Sequence, residues 1–248
     1  MGLLFEKNDS FVDFVSMKSG AIGDIPTAAE LTGLELRLSR VLIIDNHMIK
    51  IPPFPGLAEM YLLVIVVSDT GATIQNIDLK GFAKVDDNEE LPIDKTIFYW
   101  KKVADSDKLP GQIHTFVSVI KSKERLRNVG SVLAAAKADS DYSNVVSAIK
   151  AMMKNATPLG QVTDLVFSLA GIIGKYLGKV KDKPLFTWVQ SYTDLNDDFN
   201  TLGKTTKDKQ NDSVSVALSL IVRDKNREQQ VLDAQSPEVR EELLNQIE

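Results

Sequence analysis

Regular alternation of hydrophobic and polar residues predicts β-strands in several parts of this chain. Leu34, Leu36 and Leu38 are separated by polar residues, the two-residue period of a strand with one buried face. Residues 213–223 show the clearest alternation, and residues 60–68 form an apolar run too short for most helices. Similar but less regular patterns predict further strands at residues 77–85, 96–103, 112–120 and 185–192.

The hydrophobic period changes between residues 124 and 181. Apolar residues within 126–136, 145–153 and 159–180 recur at helical spacing, and the third stretch forms one unbroken stripe. Thr157-Pro158 supplies this stripe with an N-cap and a first-turn proline. The pattern therefore predicts three helices placed between two sets of strands.

These elements predict an α+β protein, namely an antiparallel β-sandwich of about seven or eight strands with a helical insertion of about three helices. We expect residues 1–223 to form one sandwich domain that includes the insertion at 124–181. Residues 194–212 are hydrophilic and predict a loop, and residues 224–248 predict a polar helical tail.

Composition narrows the function classes. The chain has 248 residues, a formal net charge of −5 and no cysteine, which excludes disulfides, thiol nucleophiles and thiolate metal sites. Its basic residues are interspersed with acidic ones, so nucleic-acid binding through a basic face is not expected. The sequence shows no transmembrane segment and no signal peptide, which predicts a cytoplasmic protein while leaving leaderless export open.

The first strands are arranged as in one known family. An apolar strand that ends at Ile44 is followed by Asp45, and Glu59-Met60-Tyr61 then leads into a second apolar strand. This order resembles the C2 domain, a calcium- and phospholipid-binding β-sandwich. In that family a later strand ends in two aspartates, but the equivalent positions here hold Lys121 and Lys123. Because calcium requires six to eight oxygen ligands, the resemblance implies a member without the usual calcium site.

Five acidic residues are the candidate metal ligands. The resemblance implies that Asp45, Glu59, Asp105 and Asp194 meet at one end of the sandwich. Asp194 and Asp198 also bound a segment with oxygen side chains at alternate positions, as in the opening of a calcium loop. Phe199 stands where that loop requires glycine, so calcium is disfavoured and no other cofactor is expected.

Two further features bear on function. His47 lies two residues after Asp45, and this is the one candidate for a histidine–carboxylate pair. The sequence contains no Gly-x-Ser-x-Gly motif of the kind that holds a serine nucleophile. The third helical stripe ends in four lysines that suit an anionic lipid surface or a partner, namely Lys175, Lys179, Lys181 and Lys183.

We therefore expect a non-catalytic interaction module that binds a protein partner or a membrane surface without calcium. Two alternatives remain open at this point. One is a hydrolase that uses carboxylates from the Asp45 and Asp194 loops, and the other is a structural subunit of a larger assembly.

Overall fold

The computed structural model describes residues 3, 5–13, 31–53, 56–70, 74–104, 107–154, 159–181, 183–194, 198–200 and 202–224. This part of the chain forms an α+β structure with ten strands in two sheets and three α-helices. The strands are β1 (Phe11–Asp13), β2 (Leu31–Ile43), β3 (Ala58–Ser68), β4 (Ile74–Val85), β5 (Glu89–Glu90), β6 (Lys95–Lys101), β7 (Gln112–Ser122), β8 (Phe186–Thr193), β9 (Gly203–Gln210) and β10 (Val214–Asp224). The helices are α1 (Val129–Lys137), α2 (Ser140–Lys154) and α3 (Leu159–Lys175), and Lys7–Asp9 forms a short 3-10 helix.

The first sheet has the strand order β1-β8-β7-β3-β4. In the second sheet the order is β5-β2-β10-β9, and β6 also pairs with β2. All pairs are antiparallel except β1 with β8, which are parallel. The register places the end of β2 beside the start of β10, since Ile43 faces Val214.

Alternate residues of both sheets contribute to one buried cluster. Leu36 and Leu38 of β2 belong to it, as do Met60 of β3 and Trp188 of β8. The two-residue period of a strand produces this arrangement, because it directs every second side chain to the same face. One face of each sheet is therefore buried in a shared core.

The helices cover the opposite face of the first sheet. Tyr61, Leu63 and Ile65 of β3 pack in a second buried cluster with Val166 and Leu169 of α3. Since β3 is buried on both faces, its sequence is apolar without alternation. The three predicted helices are confirmed. Asn128 caps the start of α1, and its side chain accepts a hydrogen bond from the Ser131 N–H.

The predicted third stripe extends further than the helix. The α3 helix ends at Lys175, and Gly178 adopts a left-handed φ of 93° that redirects the chain. Leu177 and Val180 still reach the helix-side cluster, but Val180 does so from an antiparallel bridge to Ser122. The apolar spacing thus continued although the helix did not.

The predicted strand count of seven or eight differs from the ten strands observed. Two of the additional strands, β1 and β5, have only three and two residues. A third, β9, lies within the predicted loop at 194–212. Its polar side chains are mostly exposed, so the hydrophobic pattern that predicts a half-buried strand is missing. The predicted tail at 224–248 falls outside the described residues from position 225 onward.

One finding bears on membranes: within the described ranges, no helix has the length and apolar character that crossing a bilayer requires.

A single hydroxyl joins β3 to both ends of the helical region. The buried Tyr61 Oη accepts a hydrogen bond from the Arg127 N–H at 2.6 Å and lies 3.5 Å from the Leu177 carbonyl oxygen. We expect Tyr61→Phe to lower the free energy of unfolding by about 1 kcal/mol, because the Arg127 N–H loses its acceptor. Urea unfolding would measure the change, and Tyr99→Phe at an exposed position is the matched control. Equal stability of the two variants would contradict this role for the hydroxyl.

Candidate functional site

The candidate site lies at the end of the molecule where β2 passes into β3. The connecting segment, residues 44–57, carries the chain from the second sheet to the first. We call residues 45–53 of this segment the docking loop. The end of β7 and the start of β10 lie at the same end of the sheets, as the strand registers show.

Asn46 fixes the base of the docking loop. It is fully buried, and its side-chain N–H groups donate to the carbonyl oxygens of Gly56 and Val85, both at 2.9 Å. Its Oδ1 accepts from the Met48 N–H at 2.8 Å. The Asn46 side chain therefore ties the docking loop to Gly56, which follows it in the chain, and to β4, and its third hydrogen bond lies within the loop.

Lys121 at the end of β7 holds the loop from the other side. Its ammonium donates to the carbonyl oxygens of Asn46 and His47, each at 2.9 Å, and the residue is only 6% exposed. Burial, together with the nearby Lys181, lowers the pKa of Lys121, whereas the negative charge of Asp45 acts in the opposite direction. A buried cation thus organises the backbone of the loop.

His47 follows with a left-handed φ of 52°. Asp45 Oδ1 accepts from the His47 N–H at 2.6 Å, which makes a local turn that suits this conformation. Asp45 Oδ2 lies 3.2 Å from His47 Nδ1, and Ser213 Oγ lies 2.7 Å from His47 Nε2. The structure therefore contains the predicted pairing of Asp45 with His47 and adds Ser213 from the start of β10.

Beyond this base the loop exposes apolar side chains. Met48, Ile49 and Ile51 are 40%, 82% and 62% exposed, and we call these three residues the apolar tip. Lys50, between Ile49 and Ile51 in the chain, forms ion pairs with Asp86 and Asp87, and its Nζ lies 2.8 Å from an oxygen of each carboxylate. The fixed base and the exposed tip together give a preformed apolar projection.

Two of the four predicted lysines belong to this end of the molecule. The bridge between Ser122 and Val180 places Lys121 opposite Lys181 and Lys123 opposite Lys179, with backbone hydrogen bonds on both sides. Four lysines thus occupy the two rungs that flank the Ser122–Val180 bridge beside the docking loop.

The other two predicted lysines are engaged in ion pairs. Lys175 pairs with Asp139 and Asp141, and Lys183 pairs with Glu6 and Asp9. Their charges are largely balanced locally, so the basic surface differs from the one that the helix end predicted.

The predicted metal ligands are divided between the two ends of the sheets. Asp45 lies in the docking loop, and Glu59 is the second residue of β3, opposite Ser122 and on the same face as Tyr61. Asp194 and Asp198 lie away from the docking loop, beyond the other end of β8, where the Asp194 N–H donates to the Gly111 carbonyl oxygen beside the start of β7. Asp198 there accepts from the Thr193 N–H and pairs with Lys207.

Asp105 lies outside the described residues. Among the histidines and acidic residues that the structure does describe, no group of three or more is placed to hold a metal ion. The expectation that Asp45, Glu59 and Asp194 meet at one place is therefore not met by their positions.

Sequence reasoning missed Asn46, Ser213 and the structural role of Lys121. Ser213 is 166 positions from its partner His47, and no local pattern joins them. A signal for the apolar tip does exist, since three large apolar residues stand among polar and proline positions of a loop.

The chain matches no family model, and no curated protein shows a significant match to it. Its function is therefore inferred from the site.

Proposed function

We propose that this protein is an interaction module that binds a membrane surface through the docking loop, without calcium. The observation that carries the proposal is the apolar tip, three exposed apolar side chains on a loop whose base is fixed by buried groups. Large apolar residues that project together into water are characteristic of surfaces that bind another apolar phase.

Energetic reasoning supports insertion of the tip. Transfer of an isoleucine side chain from water to an apolar phase contributes about 2 kcal/mol. Because Asn46 and Lys121 already hold the loop, little conformational entropy remains to be lost on binding. Ile49 and Ile51 alone would therefore supply useful affinity.

The charges around the loop favour an anionic surface over a neutral one. Lys179 and Lys181 lie beside the loop, and each basic residue near an anionic membrane contributes about 1 kcal/mol. Lys50 pairs with both Asp86 and Asp87, so it offsets part of the negative charge beside the tip. Since the whole chain carries −5, this attraction is local to one end.

The position of Lys121 supports the proposed independence from calcium. In the C2-like arrangement that the sequence resembles, a metal ion would organise the loops at this end of a β-sandwich. Here the Lys121 ammonium donates to two carbonyl oxygens of the docking loop, so a lysine side chain takes the place of the metal ion in ordering the loop. We accordingly propose that the two sheets form a C2-like sandwich whose docking loop is ordered at all calcium concentrations.

Vesicle co-sedimentation tests the proposal. We expect the protein to bind vesicles that contain phosphatidylserine equally well with calcium and with a chelator, and more weakly to phosphatidylcholine alone. The variant Ile49→Ser is expected to bind about tenfold or more weakly, because it removes one buried apolar side chain from the complex.

The matched control is Val103→Ser, which changes an apolar residue that is 88% exposed at the opposite end of the sheets. It is expected to bind as the wild type does. Failure of the wild type to bind vesicles in either condition would reject the membrane proposal, and a requirement for calcium would reject the assigned role of Lys121.

A further inference from the structure

We infer that Ser213, His47 and Asp45 form a hydrolytic site that cleaves carboxylic esters of apolar acyl groups. The inference goes beyond the docking role and does not depend on it. It rests on a hydroxyl, an imidazole and a carboxylate that lie next to one another in space, in that order, at the base of the docking loop.

The order of contacts fits activation of a serine nucleophile. Ser213 Oγ lies 2.7 Å from His47 Nε2, and Asp45 Oδ2 lies 3.2 Å from His47 Nδ1. The negative charge of Asp45 at this ion-pair distance favours the proton on Nδ1, which leaves Nε2 as an acceptor. Ser213 then donates to His47, which is the polarity that a general base needs.

Two backbone N–H groups that could bind an oxyanion lie at Ser213 and the residue after it. The N–H groups of Ser213 and Val214 converge on one oxygen, Asn211 Oδ1, at 3.0 and 2.9 Å. Two N–H groups aimed at a single oxygen beside a nucleophile form the arrangement that stabilises a tetrahedral intermediate. Asn211 Oδ1 occupies this place in the free protein and must give way to the carbonyl oxygen of the substrate.

The reaction proceeds by acyl transfer. Ser213 Oγ attacks the ester carbonyl carbon while His47 Nε2 takes the serine proton. The bond to the alcohol then breaks, and the alcohol leaves with the proton from His47. Water repeats these steps on the acyl-serine in the opposite direction, which releases the carboxylic acid and restores Ser213.

The substrate class follows from the neighbouring residues. Met48 and Ile49 follow His47 directly and are exposed, so an acyl chain bound beside the imidazole contacts apolar side chains. His47 itself is 41% exposed at its side chain, whereas Ser213 is nearly buried behind it. The geometry thus favours an uncharged apolar acyl group over a charged one.

Labelling of the full chain with an alkyl fluorophosphonate tests the inference, with peptide mass spectrometry to locate the label. We expect label on Ser213 of the native protein, none on protein unfolded in urea, and none on Ser213→Ala. His47→Gln is expected to slow labelling about 100-fold, because it removes the general base. Ser143→Ala, at an exposed position of α2, is the control and keeps the wild-type rate.

Absence of label on Ser213 of the native wild type overturns the inference, whether or not any variant folds. A rate unchanged in folded His47→Gln also overturns it, since Ser213 would then react without a base. Asn211→Ala is expected to react about tenfold faster because it opens the oxyanion position, and slower labelling of a folded variant contradicts that assignment. Vesicle binding by Ile49→Ser reports on the docking proposal separately.

Discussion

Replacing Asn46 with alanine is expected to lower the free energy of unfolding by about 3 kcal/mol. The substitution removes three hydrogen bonds at a fully buried position and leaves the carbonyl oxygens of Gly56 and Val85 without these donors. A buried hydrogen bond contributes about 1 kcal/mol, and an unpaired buried polar group adds to the loss. The docking loop should also lose its fixed shape, so vesicle binding should fall with stability.

Chemical denaturation of the wild type and the variant measures this change. Asn144→Ala makes the same chemical change at an exposed position of α2 and is expected to be neutral or slightly stabilising, since alanine favours helix. A loss below about 1 kcal/mol for Asn46→Ala would show that the three bonds do not anchor the loop.

Stability is expected to fall by about 3 kcal/mol as the pH decreases from above 6.5 to about 4, through His114 alone. Burial lowers the pKa of His114 from 6.5 to about 4. Its Nδ1 lies 2.9 Å from Ser191 Oγ and its Nε2 lies 3.2 Å from Gln112 Oε1, two uncharged groups that do not offset the cost of burying a charged ring.

The sign follows from proton binding in the two states. Between pH 6.5 and pH 4 the unfolded chain takes up a proton on His114 and the folded chain does not. Acid therefore favours the unfolded state in this window, and the loss is complete below the folded pKa. The His114→Gln variant cannot take up this proton. Its free energy of unfolding should therefore fall by about 3 kcal/mol less than that of the wild type over the same pH range.

Urea unfolding of both proteins at several pH values checks the expectation. Because carboxylates elsewhere titrate equally in the wild type and the variant, the difference between the two curves isolates His114. Parallel curves across this window would contradict a neutral, buried His114.

Hydrophobic periodicity predicted those strands and helices that bury one face or one stripe. Residues 213–223 alternate because β10 directs Val216 and Leu218 into the shared core while Ser215 and Ser219 lie on the other face. The same signal fails for β9, which is mostly exposed on both faces. Backbone pairing with β10 defines this strand, and pairing has no signature in side-chain polarity.

The site was predicted only where its parts are close in sequence. Asp45 and His47 are two residues apart, so a turn brings them together without any knowledge of the fold. Lys121 reaches the loop from 75 positions away, because β7 ends at the same side of the sheet as β3 begins. Sequence indicated that its charge was unsuited to calcium, but only the fold shows what that charge contacts.

Because β3 is packed on both faces, the helical insertion cannot be removed from the chain, or replaced by a short connection, without exposing that strand. A direct connection from β7 to β8 would leave Tyr61, Leu63 and Ile65 facing water, together with Phe116 of the neighbouring strand. The helices are placed as an insertion in the order of strands, yet they shield the most apolar strand of the sheet. Loss of the insertion would therefore expose the apolar face of β3, an interior strand of the first sheet, and exposed apolar surface of this kind favours self-association over folding.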